Sequence, residues 1–407
     1  MRRRSYTRPA SAATKLNCPL KKYVDPKSNR DHKARSCSVK ITSVETFILH
    51  VPVTRQNIAD STHRLTHWGA PGVILRTNES ISGFGYTGTH AHLPSDRLIT
   101  QFIGECYAPL LIGSDPLEVR SLWSKLLHHP PLQWVGRAGI SHLALSAVDI
   151  ALWDLKAKAA QTPLWKLLGG CAEKKIRAYN TDGGWLNWSI DQLVADAKSL
   201  LDSGYRGIKM KVGTGRVQED LHRVQAVREA IGPGIDLMVD ANGRWLFPEA
   251  FEFSRRAADF HLKWLEEPIW YDDVEGHRQL AARCGVPIAL GEQLYTVDHF
   301  KQFLAAGAVD YVQPDAVRLA GITEWLMVAD LAFAYRLPVV PHIGDMAQVH
   351  LHLATAHPSC DLLEYIPWLK DCFEEPATVS EGYFATPWQP GAGSTIRPQA
   401  LDRYRVA

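Results

Sequence analysis

The sequence predicts an α/β protein: a modified (β/α)-barrel preceded by an N-terminal α+β capping domain. Three observations lead there. After residue 170, short apolar runs alternate with helix-length amphipathic segments, eight units in roughly 200 residues. Several of those runs end in an ionisable residue, where a parallel barrel gathers its reactive groups. Residues 39–165, by contrast, read as a strand meander followed by helices. A doubly wound sheet is the competing architecture. It needs a Gly-rich phosphate turn after its first strand, and Asn180-Thr181-Asp182-Gly183-Gly184 is not one.

The chain opens with residues 1–38, which show neither periodicity nor an apolar stretch of the secretory kind. They hold eleven Lys/Arg against two Asp, a net of +9, so a whole-chain charge of +2 leaves −7 for the rest. Two readings stand for this segment: a disordered basic tail, or an organelle transit peptide, which Asp25, Asp31 and the prolines Pro9, Pro19 and Pro26 argue against. Because the basic excess sits in the tail, no nucleic-acid partner is expected of the body. No run of 18 or more apolar residues occurs, so no membrane partner is expected either. Seven cysteines without a C-x-x-C spacing point to reduced thiols and a cytoplasmic setting.

In the capping domain (39–165), alternation predicts a strand over 39–51. Strands over 72–77 and 83–86 flank an Asn78-Glu79-Ser80 turn. The polar stretch 55–71 between the first two reads as a lid loop carrying Asp60, Ser61, His63, Arg64, His67 and Trp68. Apolar residues at helical spacing predict helices over 95–111, 115–128 and 139–160, with Asp115-Pro116 as a start signal. The barrel domain (166–370) has candidate strands at 176–181, 207–211, 236–240, 262–266, 287–291, 310–313, 338–342 and 361–364. Residues 371–407 are read as a segment returning to the cap.

The strand ends carry the chemistry. Lys209 and Lys211 share one face of the second strand, because the side-chain period is two. Two ammonium groups there persist only beside anions. Asp240, Glu266 and Glu292 end the next three strands at equal spacing along the chain, one βα unit each. Three converging carboxylates raise one another's pKa unless a cation neutralises them, and Mg²⁺ suits three oxygens with room left for a ligand. Singly, each carboxylate is as readily a solvated loop charge. Lys211, next to another cation, is expected to have a lowered pKa and to serve as a base, or else to be ion-paired to Asp240. His342 ends the seventh strand, and Asp315, one strand earlier, can orient its ring; a strand-end histidine is otherwise a satisfied hydrogen-bonding group. Lys211 and His342 would then face opposite sides of a bound molecule. The constellation suits removal of the proton next to a carboxylate, with the resulting enediolate stabilised by metal, Lys209 and a protonated Glu364. Return of a proton gives racemisation; loss of a β-hydroxide gives dehydration.

With these motifs in place, residues 40–400 resemble the enolase superfamily, mandelate racemase subgroup. The likeness rests on Lys209-Met210-Lys211, on Asp240, Glu266 and Glu292 in "VDANG", "WLEEP" and "LGEQ", on Asp315 and His342 in "VQPDAVRLAGIT" and "PHIGDM", and on Glu364 in "DLLEY". The stretch 144–170 looks like that subgroup's helix and linker before the barrel. Within the subgroup the chain is most similar to acid-sugar dehydratases, through "VQPDAVRLAGI" and "VHLHLATAHP". The resemblance implies one Mg²⁺ per site, catalytic Lys211, His342, Asp315, Lys209 and Glu364, and a homo-oligomer. His63, His67, Trp68, Asn242 and Thr181 are expected to contact a small sugar-acid substrate, and Trp185 and Trp188 either line the site or pack on the lid. Gly243-Arg244 and Gln293 depart from the usual pattern and leave the substrate open. A 2-hydroxyacid racemase and a non-catalytic binding relative are the alternatives.

Overall fold

The first barrel strand, Arg177–Asn180, holds both ends of a ring. On one side it pairs parallel with Gly207–Lys211, and the sheet continues through Asp236–Asp240, Leu265–Glu266, Ile288–Leu290 and Tyr311–Val312, each pairing parallel. On its other side it pairs parallel with Leu362–Tyr365. This is a computed structural model, and it describes residues 39–406 apart from 56, 57, 91 and 345. Both readings of the basic tail lie outside the described residues. No described helix is long and apolar enough to cross a membrane.

The strand expected at 338–342 is reduced to one bridge, Val312–Val339. Pro338 and Pro341 remove two backbone donors, so Val339 N and Val340 N donate, to Ser359 O at 3.1 Å and Val312 O at 2.9 Å, while Pro338 contributes only its carbonyl, to Val312 N at 3.0 Å. Helices return the chain between strands, beginning at local caps. Ser189 and Gln192 form a reciprocal capping box at Ile190–Asp202. Asp273 and Thr296 cap Val274–Arg283 and Val297–Ala306 with side-chain oxygens.

The cap is a three-stranded antiparallel sheet in which His67–Thr77 lies between Ile41–Pro52 and Ser82–Tyr86. Its central strand starts at His67, well before the 72–77 expected. Residues 67–71, read as part of the polar lid loop, instead pair in the sheet: the Pro71 carbonyl accepts from Thr87 N at 2.9 Å and Ile48 lies opposite it. The expected lid loop also contains a small hairpin, Ile58–Ala59 with Arg64–Leu65. The helix expected from 115 begins at Val119; the Asp115 carboxylate instead accepts from Leu117 N at 2.9 Å in a local turn. At the far end, Pro398–Tyr404 returns the chain to the cap sheet, where Val406 N donates to Ile48 O at 3.0 Å.

The long helix Ile140–Ala159 is buried along most of its length and clasps cap to barrel. Fully buried Asp149 accepts from Thr323 N at 2.8 Å and Thr323 Oγ1 at 2.7 Å, at the start of barrel helix Ile322–Ala334. Gly321 has φ +97°, and a Cβ there would overlap the Asp149 side chain, so the clasp depends on a glycine. Burial pushes the Asp149 carboxyl up to about 7, against the Thr323 hydrogen bonds. A carboxyl raised in the folded state contributes stability that is complete below its unfolded value near 3.8 and is lost as pH rises through about 7. Asp149→Asn is therefore expected to flatten the decline in stability between pH 4 and 7. Asp149→Ala, which leaves the Thr323 donors unpaired, is expected to cost about 2–3 kcal/mol. Urea midpoints measured across pH check both; a wild-type slope retained in the Asn variant would contradict the assignment.

Candidate active site

The barrel interior is layered. Its floor is a buried cluster of Tyr179, Met238, Trp264, Ala289, Val340 and Leu362. Side chains on one face of a strand recur at every second position. Two positions further along each strand come Thr181, Asp240, Glu266, Gly291, His342 and Glu364, with Lys209 and Gln313 on the remaining two. Thr181, Lys209, His342 and Glu364 of this layer line a cavity. Gly291 keeps its place because a Cβ there would lie 2.5 Å from Gln313 O, so the third carboxylate is carried by the next residue, Glu292.

Lys209 is buried and reaches Glu266 Oε1 at 2.7 Å, Glu364 Oε1 at 3.0 Å and Asp240 Oδ2 at 3.6 Å. Burial disfavours its charge, but these carboxylates outweigh it and hold the ammonium well above the usual lysine value. Lys211 donates to Asp240 Oδ2 at 2.6 Å and to Asn242 Oδ1 at 3.1 Å. The lowered pKa expected for Lys211 is not found. Burial pulls it down and so does Lys209, but Asp240, Asp60 and Glu292 raise it above the ordinary value. The neighbouring cation is outweighed by anions, one of them within hydrogen-bond distance. Asn242 N and Nδ2 donate to Asp240, at 2.9 and 3.2 Å.

Ligand oxygens of Asp240, Glu266 and Glu292 all lie within 4.8 Å of one another, and all three residues are buried. Glu266 Oε2 accepts from Trp264 Nε1 and Gln313 Nε2, each at 2.9 Å, which fixes the carboxylate plane. Next to it Glu267, also buried, has neither oxygen hydrogen-bonded among the described residues, and burial followed by Glu292 and Asp240 pushes it well above the usual carboxylate range. Carboxylates crowd this layer, and Lys209, Lys211 and His342 pair with only some of their oxygens. A divalent cation at the carboxylate trio would offset their mutual repulsion. The donor set, all hard oxygens, fits such an ion.

His342 sits between two carboxylates: Nδ1 is 2.7 Å from Asp315 Oδ2, and Nε2 is 2.9 Å from Glu292 Oε2. Burial lowers its pKa, but Glu292, Glu364 and Asp315 raise it well above that of a free imidazole. Asp315 is steadied by Val317 N at 2.9 Å and lies 3.0 Å from buried His350, an interaction the sequence reading missed. His350 lies on the helix Ala347–Ala356, and nothing in its spacing announces the contact.

The lid supplies Asp60, Thr62, His63, Leu65 and Trp68 to the cavity wall, and Thr181 and Asn242 join them. Thr181 Oγ1 is buried there with no partner among the described residues. His67 is the exception among the expected contacts. It alternates with Trp68 on a strand, so it points away from the cavity and meets Thr66 Oγ1 at 3.2 Å. Trp185 lines the cavity, stacked on Trp368 at 5.8 Å, whereas Trp188 lies outside under Arg55. Trp368, His90, Tyr271 and Gln293 complete the wall. Of these only Gln293 carried a signal in the sequence, through its position after a strand-end carboxylate. The lid is tied to the barrel by Ser61 Oγ on Ala241 O at 2.9 Å, by Leu186 N on Ala59 O at 2.9 Å, and by Arg55 on Asp182 and Asp196 at 3.2 and 2.9 Å.

A capped barrel whose polar layer joins three metal-competent carboxylates to a lysine and a carboxylate-held histidine has the makings of an enzyme active site. Comparison with known proteins agrees. Residues 43–169 match the model for the mandelate racemase/muconate lactonizing enzyme N-terminal domain, and residues 192–400 the enolase C-terminal domain-like model. The chain belongs to the mandelate racemase/muconate lactonizing enzyme family of the enolase superfamily. It is 40% identical over 338 residues to L-talarate/galactarate dehydratase of Salmonella typhimurium, covering 80% of each chain. It is 33% identical to 3,6-anhydro-alpha-L-galactonate cycloisomerase of Streptomyces coelicolor, covering 90% of this chain and 99% of that one. The Salmonella dehydratase structure liganded with Mg and L-lyxarohydroxamate superposes with a TM-score of 0.85 at 34% identity, over 94% of this chain and 97% of that one.

Arg55→Met removes the charged part of the lid tether. Because the pair is partly exposed, overall stability should change by less than about 1 kcal/mol. Limited proteolysis is expected to cut faster between residues 58 and 66, and an unchanged cleavage rate would show that the backbone contacts alone hold the lid.

Proposed function

We propose that the protein removes water from a sugar acid, an aldonate or aldarate, and releases a 2-keto-3-deoxy acid. The observation that carries this reading is that Lys211 and His342, from the second and seventh barrel units, line one cavity beside the Asp240–Glu266–Glu292 trio. The class of enzyme is hydro-lyase and the cofactor is Mg²⁺, held by that trio. When bound, the ion supplies Lewis-acid charge where the substrate carboxylate docks.

The chain's own groups account for the rest. Lys211, in its neutral form, would take the α-proton: Asp240, its partner at 2.6 Å, would share its charge with a cation held by the trio and so hold the ammonium less firmly, while Asn242 keeps the side chain in reach. Lys209, clamped between Glu266 and Glu364, is a fixed positive charge for the negative charge that builds on the substrate carboxylate. His342, kept charged between Asp315 and Glu292, gives a proton to the departing β-hydroxyl. Asp60, Thr62, His63 and Thr181 present hydrogen-bonding groups suited to a polyol rather than an aromatic ring, while Trp185 and Trp368 exclude water. The same pair of proton carriers also favours a second reading, a 2-hydroxyacid racemase, which exchanges the α-proton of both enantiomers and loses no water. All matched site positions are present, which speaks against a non-catalytic relative.

Screening a library of acid sugars with Mg²⁺ for 2-keto-3-deoxy product is expected to give turnover with at least one member. If none yields product, while a 2-hydroxyacid exchanges its α-proton in D₂O, the dehydratase reading fails and the racemase reading takes its place. Lys211→Ala and His342→Asn are each expected to lower kcat by about 10²–10⁴-fold. Glu292→Gln is expected to weaken Mg²⁺ binding by at least about tenfold in calorimetric titration, since one of three charged ligands is lost.

A further inference from the structure

His90 reaches the cavity from the cap and has no place in the chemistry above. It sits in the loop after strand Ser82–Tyr86, with φ +54°, a conformation rare outside glycine and common at functional sites. Its ring packs edge-on against Trp68 at 4.5 Å and against His342 at 5.9 Å. It therefore lies on the His342 side of the cavity, between the polar layer and the lid.

One contact settles its proton. Arg318 Nε lies 3.1 Å from His90 Nε2. A guanidinium has donors and no acceptor, so Nε2 must offer a lone pair. A histidine with one bare nitrogen is neutral and carries its single proton on the other, Nδ1. Among the described residues nothing accepts from Nδ1, and the ring lines the cavity. Arg318 is itself aimed by Gln293 Oε1 at 3.2 Å and Tyr295 OH at 3.4 Å. Burial, then Arg318, then His342 push the His90 pKa well below the usual value, in the same sense. The two neighbouring histidines thus hold opposite states, His342 charged between carboxylates and His90 neutral against a guanidinium.

We infer that His90 is a specificity residue whose Nδ1–H donates to a substrate hydroxyl beyond the β-carbon, and that Arg318 is the positioning residue that fixes its tautomer. This rests on the sugar-acid reading, since the carboxylate end would dock at the trio and the chain would extend along the His342 side toward the cap. A neutral donor of fixed tautomer recognises an uncharged hydroxyl.

The test uses the Mg²⁺-loaded full chain. His90→Phe keeps a ring against Trp68 and His342 but lacks the donor; His90→Asn places an amide donor close to the Nδ1 position. For a six-carbon acid sugar that wild type turns over, His90→Phe is expected to lose roughly tenfold in kcat/KM, mostly through KM, and His90→Asn to recover much of it. The loss should shrink for 2,3-dihydroxybutanoate, which has no hydroxyl past the β-carbon. Imidazole ¹⁵N shifts are expected to show His90 protonated at Nδ1 alone from pH 5 to 8, and Arg318→Met to make it titrate. Wild-type turnover with His90→Phe unimpaired on the long acid, or a proton on Nε2 in wild type, overturns the inference and leaves the proposed function standing. No turnover of any acid sugar by wild type brings down both.

Discussion

Buried charge at the mouth of the barrel is the constraint on which the rest depends. One pleat below it the interior is apolar, with Trp264, Met238 and Tyr179 excluding water. One pleat above it lies a lid with its own aromatic wall. Between them Lys209 neutralises carboxylates in three directions, and Glu267 remains with both oxygens unbonded among the described residues. Taking such groups out of water costs several kcal/mol each unless partners offset it. The layer is tolerable only as a set, and a divalent cation completes it. That is why the metal site and the proton-transfer groups cannot be separated: Asp240 touches both lysines, and Glu292 touches His342.

Charge state in this site follows the nearest partner rather than residue type. Lys211 is held above the ordinary lysine value by Asp240, 2.6 Å away, against burial and the repulsion of Lys209. His342 and His90 share an edge contact yet are held in opposite states, one by two carboxylates and the other by a guanidinium. The cap takes part in this directly, because Trp68 braces His90 and Asp60 adds its charge beside Lys211. The clasp of Asp149 on Thr323, made possible by Gly321, keeps cap and barrel in the register these contacts need.

Much of the barrel was legible because strand ends are local. Asp240, Glu266 and Glu292 recur once per βα unit at even spacing, and the period of two puts Lys209 and Lys211 on one face, so the polar layer can be listed from spacing alone. Where the reading fell short, a distant neighbour had decided. The polar stretch 55–71 read as loop, but pairing on both sides made 67–77 the central cap strand. Asp115 resembled a helix start and instead closed a turn of its own. His67 and Trp68 are adjacent in the lid, and only the register with Val51 and Pro52 shows which one faces the cavity.

The sequence by itself determined the repeating βα order, the residues at the strand ends and the family. These follow from the strand period, the helix period and the length of the βα repeat, all of them local to single units. The tertiary structure alone decided the protonation partners of Lys211 and His342, the tautomer of His90, the face of His67 and the place of Trp368. Each of these depends on atoms brought together from segments distant in the chain, such as His90 with Arg318, Trp368 with Asp182 and His342 with Glu292. Charge and hydrogen-bond energies depend on distances of a few ångströms, and for those pairs the fold sets the distance.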